Sequence, residues 1–231
     1  MWVTTGAACL VLGTAAPAAA QKAVAPADSL RAPRFGDRSL GLWVAGAPHA
    51  TVGPPSLHGL SRGFYIVGVH AEWVLEAAGT LALSATADLH PAAVVTRTLR
   101  YRTDTYTTTG GQRYEVHVPL DRGLVYGAGI SPFGLATTLS PFAARAGWVR
   151  GLHFAVAGSV GILTFTRNTP APDSRRGNLT VDGGGGLELE RPGRLTWTLG
   201  YRYRHFSNAG TAPFNPGLDA RMLVIGVRRR R

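Results

Sequence analysis

Residues 195–227 read LTWTLGYRYRHFSNAGTAPFNPGLDARMLVIGV. The first thirteen of them alternate. Leu195, Trp197, Leu199, Tyr201, Tyr203, His205 and Ser207 share one face, and Thr196, Thr198, Gly200, Arg202, Arg204 and Phe206 share the other. Side chains on a strand point to opposite faces in turn, so the run is a strand with one apolar and one polar side. The unusual feature is the position of His205 and Ser207. This reactive pair continues the apolar face, not the polar one.

The second half of the stretch has the pattern of a return strand. Asp219, Arg221, Leu223, Ile225 and Val227 fall on one face, with Ala220, Met222, Val224, Gly226 and Arg228 on the other. Matching apolar to apolar sets Trp197 against Val227, Leu199 against Ile225 and Tyr201 against Leu223, and this register brings His205 opposite Asp219. Directly opposed residues have Cβ atoms about 5 Å apart, and residues i and i+2 on a strand lie about 6.6 Å apart. An imidazole spans gaps of that size in both directions. His205, Ser207 and Asp219 therefore form a Ser-His-acid constellation on one outward face of a hairpin, the pattern that activates a serine hydroxyl for acyl transfer.

The run His205-Phe206-Ser207-Asn208-Ala209-Gly210, followed by Asn215-Pro216-Gly217 and the acid Asp219, resembles the lipid A 3-O-deacylase family (PagL type), outer-membrane acyloxyacyl hydrolases. The likeness extends upstream through Gly127-Ala-Gly-Ile-Ser-Pro-Phe-Gly134 and Leu163-Thr-Phe-Thr-Arg167. The resemblance implies an eight-stranded outer-membrane barrel with Ser207 as nucleophile, His205 as base and Asp219 as orienting acid. Many members carry Glu where this chain has Asp219, which is one methylene shorter. By their position in the motif, Asn208, the Gly210 backbone N–H and Asn215 are candidate oxyanion donors; Asn208 and Asn215 are nearly as well suited to turns. The implied partner is lipid A of lipopolysaccharide, reached from within the membrane. No metal or other cofactor is required, and a homodimer is left open.

Composition agrees with a membrane barrel. The chain has 231 residues, enough for one domain; only 16% are charged and 30 are glycine, a mixture suited to lipid-exposed strands. The opening MWVTTGAACLVLGTAAPAAAQ reads as a secretory signal peptide over residues 1–20, cleaved after Ala20. The single cysteine, Cys9, lies inside it, so the exported chain has no thiol for a disulfide or a metal. Residues 21–38, with their prolines and charges, read as a periplasmic lead-in to a barrel domain over 39–231. The net charge of +11 is almost all arginine. No zinc-finger or RRM motif accompanies it, so nucleic acid is not the indicated partner; the phosphates of lipopolysaccharide fit both charge and address.

Strand candidates continue along the chain. Leu40–Val44 begins the apolar material, and Thr51–Leu60 is a Pro/Gly loop. Tyr65 to Glu76 alternates well, and Thr80 to Leu89 more weakly. Tyr101 to Gln112 reads as a loop or strand end, Arg113 to Val118 as a clean strand, and Gly123 to Leu139 as a strand bent or bulged at its Ser-Pro-Phe-Gly. Phe154, Val156, Val160 and Ile162 oppose Ala155, Ala157, Ser159 and Gly161, the small inner residues that a narrow barrel requires. Leu179 to Glu190 alternates around Gly183–Gly186. The total is eight to ten strands of apolar-out, polar-in type: an all-β, antiparallel, up-and-down transmembrane barrel of about eight strands.

Two motifs are set aside. Gly59-Leu60-Ser61-Arg62-Gly63 matches a G-x-S-x-G elbow, which needs a strand before it and a helix after it; here a loop precedes and a strand follows. Gly183–Gly186 lacks the spacing of a phosphate loop and reads as a closely packed strand. The terminal Arg228–Arg231 stands where such barrels commonly end in an aromatic residue, and reads either as a solvated periplasmic tail or as a sign of impaired insertion or a different assembly signal. Two rivals to an esterase remain: a non-catalytic structural or adhesion barrel, and a soluble lipid-binding barrel, which should carry its apolar residues inward.

Overall fold

The computed structural model describes residues 33–53, 62–107, 110–143, 149–170, 174–211 and 217–231. The expected signal segment, most of the lead-in, the first three residues of the G-x-S-x-G match, and Asn215 lie outside them.

The eight strands are β1 (Arg38–Val52), β2 (Arg62–Ala78), β3 (Leu81–Thr107), β4 (Arg113–Ala143), β5 (Gly151–Phe165), β6 (Gly177–Arg191), β7 (Leu195–Ser207) and β8 (Leu218–Arg230). Each pairs antiparallel with the next, and β1 pairs with β8 to close the barrel. Closure leaves no unpaired edge, the condition for placing a sheet in lipid. The connections at one end are short: residues 79–80, 144–150 and 192–194. At the other end three of the four are longer: 53–61, 166–176 and 208–217. This asymmetry is the one expected of a membrane barrel, with short turns on the periplasmic side and longer loops outside.

The outer wall is apolar. Leu40, Leu42 and Val44 on β1, Val156, Val160 and Ile162 on β5, and Leu223 and Ile225 on β8 are all exposed. Water would not tolerate so continuous a belt, but lipid does. An aromatic row runs around its upper part. Tyr201 pairs with Leu223, which pairs with Gly46; Gly46 pairs with Tyr65, and Tyr65 with Val94, which meets Tyr126. All three tyrosines face out, as interfacial girdle residues do.

The lumen is packed in layers, and only part of it is polar. Toward the short-turn end, Arg228 reaches both Glu72 on β2 and Glu188 on β6. Arg228 is thus a lumen residue and not part of a solvated tail; the alternation of β8 continues through Arg230 and turns every second arginine inward. In the middle, Arg204 meets Asp182 at 2.6 Å, Trp43 Nε1 donates to Asp88 at 2.9 Å, and His90 meets Ser131 at 3.0 Å. Toward the long-loop end the lumen turns apolar. The rings of Phe64 and Phe165 each lie 5.4 Å from that of Phe206 in tilted contact, among Leu163, Leu218, Met222 and Val52. The expected polar interior is therefore corrected for this half: the barrel carries a hydrophobic plug beneath its outer rim.

Tyr101–Thr107 is the strand end of β3. Two expected boundaries change: Thr51 and Val52, placed in a loop, end β1, and the expected strands 113–118 and 123–139 are one, the 31-residue β4. The Ser-Pro-Phe-Gly segment is the expected bulge. Register shifts between Ile130 and Phe133, so that Ser131 turns inward while Phe133 stands 73% exposed on the lipid side. The tetraglycine Gly183–Gly186 lies within β6 and pairs on both sides. A Cβ on Gly184 would fall 2.2 Å from the Tyr201 carbonyl oxygen.

Candidate active site

The site lies where β7 and β8 approach the longest loops. The pairing of these strands is the one the apolar matching predicts: Trp197 with Val227, Leu199 with Ile225, Tyr201 with Leu223 and His205 with Asp219. Its phase is held from inside. Arg204 and Phe206 both point into the lumen and are wholly buried, one in an ion pair and the other in the aromatic plug. A slip by one residue would exchange them for His205 and Ser207 and turn Arg204 toward lipid. An arginine at the lipid face costs about 2–4 kcal/mol at mid-membrane and less near the rim.

On the outer face, His205 Nδ1 lies 2.7 Å from Asp219 Oδ1. With that nitrogen carrying the proton toward the carboxylate, Nε2 is left as the basic nitrogen. The two side chains are 43% and 40% exposed, so the pair is reachable from outside the barrel wall. Ser207 follows two residues later on the same face, partly exposed, as the last residue of β7. Its pairing partner on the other side is Leu179 of β6, and that of His205 is Val181, so the wall beside the pair is apolar.

The loop after Ser207 begins with a tight turn. Asn208 is buried, and its Oδ1 accepts the Gly210 N–H at 3.0 Å, while Thr211 N–H and Oγ1 donate to its carbonyl oxygen. Ala209 and Gly210 both take positive φ, 52° and 74°. Asn208 and the Gly210 N–H, each a candidate oxyanion donor by motif position, are thus bonded to each other in an Asx turn. The loop returns at Gly217, whose φ is +61°. A Cβ there would fall 2.8 Å from His205 Cε1. The glycine lets the backbone lie against the imidazole.

The Gly217 contact gives the motif glycine a structural role. One feature of this site has no counterpart in the motif: Tyr203, whose hydroxyl donates to Asp219 Oδ1 at 2.6 Å. The signal for Tyr203 was available in the alternation, since it shares the outward face with His205 and lies diagonal to Asp219 across the hairpin.

A family model, lipid A 3-O-deacylase (PagL), matches residues 71–228, more than half of the chain, including the hairpin just described up to Arg228. The chain belongs to the PagL family. Among solved structures, it is similar to the outer membrane enzyme PagL, at 15% identity over 81% of this chain and 97% of that one, with a TM-score of 0.49. It is also similar to Neisserial surface protein A (NspA), at 12% identity over 83% and 96% of the two chains and a TM-score of 0.43. A third is the outer membrane protein Ail of Yersinia pestis, at 10% identity over 85% and 99%, with a TM-score of 0.34. No curated protein matches in sequence. The PagL-family match begins within β2 and leaves β1, the strand that closes the barrel, ahead of it.

Proposed function

We propose that this PagL-family barrel is an outer-membrane serine esterase that hydrolyses an acyl ester of lipid A, with 3-O-deacylation of lipopolysaccharide as its reaction. The observation that carries the reading is the His205–Asp219 contact at 2.7 Å on the outward face of β7 and β8, with Ser207 on the same face at the end of the strand.

Asp219 holds the imidazole with Nδ1–H toward it, so Nε2 takes the Ser207 proton as Oγ attacks the acyl carbonyl carbon. The C–O bond to the sugar then breaks, and His205 returns the proton to the departing hydroxyl. Water, deprotonated by the same nitrogen, releases the acyl group as a free acid and restores Ser207. The developing oxyanion needs donors, each worth about 3 kcal/mol in well-studied hydrolases. Asn208, Gly210 and Asn215 are the candidates. The Gly210 N–H would exchange its bond to Asn208 for one to the oxyanion.

Place and substrate support one another. With the short turns in the periplasm, the 208–217 loop is external and the site meets the outer leaflet at the headgroup. A soluble lipase needs a pocket to receive an acyl chain; here the apolar wall around Val181 and Leu179 and the surrounding lipid serve that purpose. The N-terminal segment would act as the export signal and be removed. All three groups come from one hairpin, so one chain carries the whole Ser-His-acid set.

The test uses purified barrel in mixed micelles with lipid A. Wild type should release one hydroxy fatty acid per lipid A, and Ser207→Ala none. Equal release by both would end the serine mechanism.

A further inference from the structure

We infer that Tyr203 is a positioning residue for the reaction, holding the Asp219 carboxylate where it meets His205. The inference rests on the esterase reading and adds to it a residue outside the Ser-His-acid set.

The Tyr203 hydroxyl and His205 Nδ1 both donate to the same oxygen, Asp219 Oδ1, at 2.6 and 2.7 Å. Asp219 is 40% exposed and is the second residue of β8. A carboxylate so placed, with His205 as its only partner, has rotamers that point toward water or toward the Arg221 guanidinium two residues along the same face. The phenol closes those alternatives. It stands opposite Arg221 and diagonal to Asp219, so it reaches across the hairpin and fixes the oxygen from the side away from the loop.

Among the described residues, Asp219 accepts hydrogen bonds from Tyr203 and His205. On β7 the outward titratable groups beside the pair are Tyr201 and Tyr203; on β8 there is Arg221. From β1, Thr51 pairs with Asp219 and His49 is exposed nearby. From β6, Val181 and Leu179 flank His205 and Ser207. A lipid-facing position asks only for an apolar ring, which Phe would supply equally. What Tyr adds is one hydroxyl, and it is bonded to Asp219.

Tyr203→Phe therefore isolates the role, because it keeps the ring in the belt and removes the bond. Steady-state hydrolysis of lipid A in mixed micelles should show kcat lowered about tenfold with KM unchanged, as for a lost hydrogen bond to a charged group. In an Asp219→Ala background the same change should cost nothing more, since Tyr203 acts only through that carboxylate. The fraction of folded barrel, read from heat-dependent gel mobility, should match wild type. A Tyr203→Phe protein with wild-type kcat overturns the inference, and so do losses that multiply in the double variant. Turnover that is absent, or that survives Ser207→Ala, overturns the esterase reading and this role together. Wild type and Ser207→Ala then coincide, whereas failure of Tyr203 alone leaves them apart.

Discussion

Arg204 and His205 are adjacent in the chain and lie on opposite sides of the barrel wall. Arg204 is wholly buried against Asp182, 2.6 Å away, and His205 faces outward against Asp219 at 2.7 Å. The lumen thus fixes the phase of the strand that presents the site. Arg204→Met leaves Asp182 buried without its main partner, and should destabilise the barrel by about 3–5 kcal/mol. Pairing it with Asp182→Leu should restore much of that loss. Urea unfolding in lipid vesicles measures both; equal instability of the single and double variants would contradict this role.

Gly217 is the second device that shapes the site. Its φ is +61°, and a Cβ at this position would come within 2.8 Å of His205 Cε1, so that a side chain there displaces the imidazole. Gly217→Ala should turn the imidazole away from Ser207 and lower kcat at least tenfold, while costing about 1 kcal/mol of stability from the left-handed backbone. Kinetics on folded protein, with unfolding measured in parallel, separates the two effects.

Asp219→Asn keeps the size of the side chain and loses the charge. The amide can hold the imidazole in the wrong tautomer and cannot stabilise its cation. In a well-studied serine hydrolase this change lowers kcat by about four orders of magnitude, and a loss of two orders or more is expected here. Micelle hydrolysis rates, normalised to folded barrel, check it; a loss under tenfold would remove Asp219 from the mechanism.

Arg228 closes the barrel. It reaches Glu72 on β2 and Glu188 on β6, spanning from β8 over both neighbouring strands. Arg228→Met should strand two buried carboxylates where the first and last strands meet, and lower the fraction of barrel that folds. Arg229→Met, on the exposed face, should not. Heat-dependent gel mobility of the two variants after refolding makes the comparison.

The final hairpin was legible because thirteen residues alternate without interruption and the return strand repeats the pattern, and the apolar matching chosen from it is the register observed. β5 and β6 were legible for the same reason. β3 and β4 were not. Their pairing shifts between Thr86 and Asp88, His90 and Ala93, and Val95 and Thr98, and each shift resets the period that marks a strand. The outer half of the lumen was missed because Phe64, Phe165 and Phe206 lie far apart in sequence, and an inward Phe in a barrel strand looks the same as an outward one misphased. Arg228 was missed because its partner Glu72 is 156 residues away. A run of arginines has no local mark distinguishing a lumen ion pair from a solvated tail. The pairing of His205 with Asp219 was visible in the register, whereas the Asx turn that joins Asn208 to Gly210 depends on backbone geometry that residue types only permit.

The central claim is that Ser207 removes an acyl chain from lipid A, and mass spectrometry of lipid A from cells producing either wild type or Ser207→Ala tests it most directly. Lipid A from cells with wild type should lose one hydroxyacyl mass, and that from cells with Ser207→Ala should be unaltered. Identical profiles from the two proteins, both folded in the outer membrane of cells whose lipid A carries the ester, would contradict it and favour a non-catalytic barrel.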